Sequence, residues 1–207
     1  MTVRDNYFHN AYNSSTYRAL SFGNAVAYVG LDTMARNRIW ITASGSAYGV
    51  YFGQRMNSGI PYTQPACIFN NEIIIEGKGT STSYGIYSGS VNMTDVRHNT
   101  IYMNTSGTRY GIFLANPNNT NWYFNSQENL ICMAGTNGVA ECVRHQTNGS
   151  YLNAGTTMDN NVYYNDLKVI GHGAASIHAW NQLISNDPWC SRKRRRSGAS
   201  ACSYGPT

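Results

Sequence analysis

The sequence predicts an all-β fold, a right-handed single-stranded parallel β-helix (solenoid) of about six rungs. Three observations carry this expectation. An asparagine followed by alternating apolar residues returns at Asn6, Asn37, Asn71, Asn99, Asn129 and Asn161, in steps of 31, 34, 28, 30 and 32 residues. A second string, Tyr-Gly, then Ile or Val, then an aromatic, returns in the same rhythm at Tyr48, Tyr84 and Tyr110. Within each copy the apolar residues lie two apart, which is the period of a strand whose side chains alternate between two faces. Recurrence at such intervals is the mark of a solenoid.

The rungs follow in order. Asn6-Tyr7-Phe8 opens the first and leads to a degenerate Tyr17-Arg18-Ala19-Leu20. Asn37-Arg38-Ile39-Trp40-Ile41 and Tyr48-Gly49-Val50-Tyr51 form the second, and Asn71-Glu72-Ile73-Ile74-Ile75 and Tyr84-Gly85-Ile86-Tyr87 the third. Asn99-Thr100-Ile101-Tyr102-Met103 and Tyr110-Gly111-Ile112-Phe113 form the fourth. The fifth pairs Asn129-Leu130-Ile131-Cys132-Met133 with Ala140-Glu141-Cys142-Val143, and the last opens on Asn161-Val162-Tyr163. The β-branched and aromatic content of these segments favours strands. A leucine-rich repeat is shorter, a propeller blade needs more strands per copy, and helical repeats need a 3.6-residue period that is absent. In a parallel coil, equivalent residues stack at about 4.8 Å, so each alignment column becomes a ladder.

Two columns are expected to point inward. One is Phe8, Ile39, Ile73, Ile101, Ile131 and Tyr163; the other is Val3, Met34, Ile68, Val96 and Met158, with Ser126 as its exception. The asparagines lie between them, where a corner inside an apolar coil leaves backbone groups that need partners. A structural amide ladder is therefore expected at Asn6, Asn37, Asn71, Asn99, Asn129 and Asn161.

These strings, with the closing Asp159-Asn160-Asn161-Val162-Tyr163-Tyr164-Asn165, resemble the right-handed parallel β-helix proteins of the pectate-lyase-like superfamily over residues 1 to 166. The resemblance implies a secreted or cell-surface protein that binds or processes polysaccharide, as a lyase or glycoside hydrolase if it is an enzyme. The alternative is a non-catalytic surface or adhesin-type module, because one coil serves many activities. Lyases of this kind use acids to hold Ca²⁺ and a base beside the uronate, so Ca²⁺ is implied only on that branch. No other cofactor is implied.

Charged residues are 12% of the chain, which has 25 asparagines and 16 tyrosines. Five of the fifteen Lys and Arg form the run Arg192 to Arg196; the remaining ten match the ten acids. The basic pI thus rests on one tail, and no nucleic-acid partner is expected. No run of apolar residues is long enough to span a bilayer. The chain begins inside a repeat without a signal peptide, so missing rungs or domains are expected before it. Residues 167–190 read as a flanking or capping segment, with a short helix possible from Ser176 to Ile184. Residues 191–207 read as a disordered or non-native tail. The five cysteines occupy unrelated columns, no zinc pattern is present, and no metal site is predicted. Five Asn-x-Ser/Thr sequons are expected by chance in so asparagine-rich a chain.

Candidate catalytic residues come from the column immediately before the asparagines: Asp5, Arg36, Asn70, His98, Glu128 and Asn160. Alternation with inward residues should turn this column to solvent. His98 and Glu128 sit on neighbouring rungs as an acid-base pair, with Arg97 and Asp95 beside them. Gly171-His172-Gly173 is similar to a motif of polygalacturonase-type hydrolases, but the acidic strings that accompany it there are missing. Candidate sugar-binding residues are the outward aromatics Tyr51, Tyr87 and Phe113, with a second column of Trp40, Tyr102 and Tyr164 interrupted by Ile74 and Cys132.

Overall fold

A computed structural model describes residues 2–13, 15–22, 33–53, 66–89, 93–115, 123–135, 137–145, 156–165 and 171–173. Every described element is a strand. The first turn holds β1 (Thr2–Arg4), β2 (Tyr7–Asn13) and β3 (Tyr17–Phe22); the second holds β4 (Thr33–Ala35), β5 (Arg38–Ala43) and β6 (Ala47–Phe52). β7 (Ala66–Phe69), β8 (Glu72–Gly77) and β9 (Ser83–Ser88) follow, then β10 (Met93–Arg97), β11 (Thr100–Thr105) and β12 (Arg109–Leu114). The last two turns hold β13 (Tyr123–Gln127), β14 (Leu130–Met133) and β15 (Ala140–His145), then β16 (Thr156–Asp159), β17 (Val162–Asn165) and β18 (Gly171–Gly173).

Every third strand pairs in parallel with its equivalent, giving three six-stranded sheets. The chain is a parallel β-helix, and four of its turns lie between neighbours on both sides. The superfamily that the sequence resembles goes beyond what this architecture shows. Gly171-His172-Gly173, which lies past the repeats recognised in the sequence, is the last strand of the third sheet and pairs with Val143, Arg144 and His145. The flanking segment of residues 167–190 otherwise lies outside the described residues, as does the 191–207 tail.

The core is the inside of the coil. Ile39, Ile73, Ile101 and Ile131 are fully buried in one column, and Met34, Ile68 and Val96 in another. The serine in that second column is also buried: Ser126 Oγ donates to Asn161 Oδ1 at 3.2 Å and accepts from Asn129 Nδ2 at 3.1 Å. A polar residue stands in an apolar column there because it joins the asparagine ladder.

The third sheet departs from strict alternation. In β9, Gly85 and Ile86 are both buried while Tyr84 and Tyr87 are both partly exposed. A Cβ at Gly85 would lie 2.6 Å from the Gly111 carbonyl oxygen and 2.7 Å from Ile101 Cγ2. Glycine thus lets two consecutive residues face the core, and the aromatic residues three apart share the outer face.

The corner between the first and second sheets is two residues wide, a left-handed residue followed by the ladder asparagine. Asp5, Arg36, Asn70, His98, Glu128 and Asn160 all have φ between 54° and 61°, the left-handed region. Solvent exposure of this column therefore comes from the corner geometry and not from strand alternation. Asp, Asn and His tolerate that conformation best, whereas Arg36 and Glu128 are strained there. Glu128→Gly should relieve about 1–2 kcal/mol of strain against about 0.5–1 kcal/mol for glycine's greater freedom in the unfolded chain. A net gain in the urea midpoint is expected; a loss would show that the contacts of Glu128 outweigh its strain.

The next corner, from the second sheet to the third, is short in every turn. The residue ranges 23–32, 54–65, 90–92, 116–122 and 146–155, which join the third sheet to the first, absorb most of the variation in repeat length.

Candidate functional site

The asparagines behind the left-handed corner are almost fully buried from Asn37 to Asn161. In each, Oδ1 accepts from the backbone N–H and from Nδ2 of the asparagine one turn earlier: Asn71 donates both to Asn99 at 3.0 Å, and Asn99 donates both to Asn129 at 3.0 Å. Each Nδ2 also donates to a backbone carbonyl of the preceding turn, as Asn99 does to Ile68 at 2.9 Å and Asn129 to Val96 at 2.9 Å. The ladder therefore answers the unpaired backbone groups of the corner, and its role is structural.

The exposed side of that corner carries ion pairs between turns. Arg36 grips Asp5 through two contacts of 2.6 Å, and this hydrogen bonding lowers the Asp5 pKa and raises that of Arg36. His98 Nδ1 lies 2.8 Å from Glu128 Oε2, and Arg38 Nε lies 2.9 Å from Glu72 Oε2. The structure thus brings His98 and Glu128 together. The Arg97 guanidinium pairs with Asp95, with Nε 2.6 Å from Oδ1 and Nη2 against Oδ2. Asp95 is nearly buried on the first sheet and also accepts from Asn125 Nδ2 at 2.8 Å, while Thr157 donates to Asn125 Oδ1. Ion pairing and amide contacts hold the Asp95 carboxylate and the Arg97 guanidinium together as one surface network.

On the outer face of the third sheet the rings form two stacked columns. Tyr51 and Tyr87 are 5.1 Å apart at 12°, Tyr87 and Phe113 5.3 Å apart at 8°, and Tyr48 and Tyr84 4.7 Å apart at 13°. Edge contacts join the columns, as between Tyr84 and Phe113 at 5.1 Å and 80°. Phe113 is only 7% exposed. Tyr51, Tyr87 and Phe113 share a face as the sequence implied, but the faces of successive rings are spent on one another and mainly edges reach solvent. Burial, reinforced by neighbouring tyrosines, pushes the Tyr84 and Tyr87 hydroxyls up. The Arg18 guanidinium closes one end of the stack, 3.8 Å from the centre of the Tyr51 ring. Glu141 and Arg144 take the corresponding positions of the fifth turn and pair at 3.2 Å; burial nonetheless raises the Glu141 carboxyl.

No protein-family profile, curated protein or solved structure matches the chain. The geometry alone therefore carries the functional reading.

The second sheet differs from the third. Its outward column runs His9, Trp40, Ile74, Tyr102, Cys132 and Tyr164, so Ile74 and Cys132 keep the larger rings two turns apart. Trp40 is held in place by its indole N–H, which donates to Glu76 Oε1 at 3.0 Å, and by the tilted ring of His9 at 5.4 Å. Three of the large apolar residues most exposed among those described, Tyr7 at 58%, Tyr164 at 55% and Leu130 at 43%, belong to this sheet. Among the described residues no group of three or more His, Cys, Asp or Glu is arranged to hold a metal ion, and no helix is long and apolar enough to cross a membrane.

Sequence reasoning missed Arg109, whose side chain is fully buried. Nη1 donates to the carbonyls of Thr105 at 2.9 Å and Asn137 at 2.5 Å, and Nη2 to that of Gly135 at 2.5 Å. The carbonyls belong to two successive turns, which the guanidinium joins. Equivalent positions hold Tyr17, Ala47, Ser83 and Ala140, so the only available signal was a lone cation in a column otherwise without charge.

Proposed function

We propose that this chain is an extracellular polysaccharide-binding module in which the outer face of the second sheet carries an extended, uncharged glycan along the coil axis. The observation that supports the reading is the spacing of Trp40, Tyr102 and Tyr164, which recur on alternate turns at about 9.6 Å, twice the strand separation. Sugar rings stack on aromatic faces, and rings two turns apart leave room for the sugars between them. Thr42, Glu76 and Asn104 provide a polar row beside the column for hydroxyl groups. Glu76 fixes the Trp40 ring before any ligand arrives, which lowers the ordering cost of binding.

His98 and Glu128 lie on the corner and not on this face, so binding and the candidate acid-base pair are separable. A scaffold of the adhesin type is the second reading, favoured by the third sheet, whose aromatic faces consolidate the coil. Affinity electrophoresis of the full chain in gels containing neutral or acidic polysaccharides distinguishes the two. Retardation by a neutral glycan is expected, little changed by salt. Trp40→Ala and Tyr102→Ala should each weaken it about tenfold or more, while Tyr87→Ala should change it less. Absence of retardation in every gel, or equal retardation of all variants, would leave the scaffold reading.

A further inference from the structure

Along the corner between the first and second sheets the charges are sorted by position as well as paired. The first two turns carry Arg4, Arg36 and Arg38 against Asp5 alone. The later turns carry Glu72, Glu128 and Asp159 against Arg97. The ridge is therefore positive towards one end and negative towards the other. Arg36, Asp5, Arg38, Glu128 and His98 each keep about half of their side chains exposed, so the sorted charges are available at the surface. Arg36 and Glu128 also stand in left-handed positions that suit neither residue, while Asn70 and Asn160 fill the equivalent places without strain. Non-glycine residues held in such conformations cluster at functional surfaces.

We infer that this ridge is a docking surface for a second copy of the chain, lying antiparallel to the first across a two-fold axis between the third and fourth turns. In that arrangement position one of the corner column faces position six, and position two faces position five. Arg36 of each copy meets Glu128 of the other, and Arg4 meets Asp159 in the row beside it. Asp5 meets Asn160, and Asn70 meets His98, so no two like charges face each other. A parallel pair would set Asp5 on Asp5, Arg36 on Arg36 and Glu128 on Glu128, at a cost in repulsion. A two-fold interface must be self-complementary, and the order of charges along the ridge satisfies this in the antiparallel sense only.

The test uses the full chain in sedimentation velocity at a series of concentrations. A dimer is expected at low salt that dissociates as salt is raised, because these charges are exposed to screening. Arg36→Glu and Glu128→Arg should each abolish it, with circular dichroism confirming that both variants remain folded. Mixed in equal amounts, the two variants should form a heterodimer, since every reversed residue then meets its opposite; the doubly substituted chain should dimerise with itself. A parent that stays monomeric at low salt overturns the proposal. So do single variants that dimerise as well as the parent, or variants that fail to recombine on mixing.

Discussion

Replacing Asn99 by aspartate should cost the coil about 4 kcal/mol or more, enough to remove most of the stability of an ordinary domain. Asn99 sits in the middle of the ladder, fully inside the protein. Its Nδ2 donates to the carbonyls of Ile68 and Arg97 and to Asn129 Oδ1, all within 3.0 Å. A carboxylate would face those three acceptors with nothing to donate and would carry a buried charge besides. Asn99→Ala loses the same donations and also the Oδ1 that accepts twice from Asn71, but it adds no charge, and should cost less, about 2–4 kcal/mol. Asn6→Ala, at the exposed end of the ladder, should cost least. The aspartate variant should also respond to pH in a distinctive direction. Burial among acceptors raises the folded pKa of the introduced carboxyl above its unfolded value near 4. The protonated form can donate one bond, so the stability it restores is full below about pH 4 and is lost as pH rises through the folded pKa. Urea titrations of parent and variants across that range would show it. Midpoints for Asn99→Ala and Asn99→Asp that both match the parent's at neutral pH would mean that the amide donors do not hold the corner.

Arg109→Ala is expected to produce the second largest loss, about 3–5 kcal/mol. The substitution deprives the carbonyls of Thr105, Gly107, Gly135 and Asn137 of a donor and opens a cavity where a long side chain was enclosed. Gly135 and Gly138 have φ of 93° and 72°, so the segment that Arg109 holds is one whose backbone is already specialised. Arg109→Lys should recover only part of the loss, because an ammonium cannot reproduce the planar fork that reaches several carbonyls at once. Faster amide exchange at the corner of the fifth turn should accompany the drop in the urea midpoint. A loss under about 1 kcal/mol for the alanine variant would show that water or neighbouring groups satisfy those carbonyls as well as the guanidinium does.

The coil could be read from the sequence because each of its physical requirements recurs. Ile39, Ile73, Ile101 and Ile131 meet the same demand for apolar volume at the same place, and the asparagines meet the same demand for amide donors and acceptors. One occurrence of either would have meant little. The left-handed corner was legible in part: Asp5, Asn70, His98 and Asn160 are residue types that accept positive φ, but Arg36 and Glu128 mask the pattern. The outer ring columns were half legible. Tyr51, Tyr87 and Phe113 follow from alternation, whereas Tyr48, Tyr84 and Tyr110 turn outward because glycine lets two neighbours face the core, which a two-residue period does not anticipate. Arg109 was illegible because it occurs once. Its meaning depends on carbonyls about 30 residues away in sequence, and no local pattern records where those point.

Variation in repeat length is concentrated where the third sheet returns to the first, while the asparagine corner keeps the same geometry in every turn. One margin of the molecule therefore acts as a fixed ruler and the other as a place where text can be added. An insertion between Phe52 and Ala66, or between Leu114 and Tyr123, meets the coil after one turn's ladder has closed and before the next has begun. Such a chain can acquire or shed surface segments without renegotiating its register, since the ladders on either side of the change remain aligned. New recognition elements are most easily acquired along that margin, and the buried amides opposite it hold the turns to which they attach.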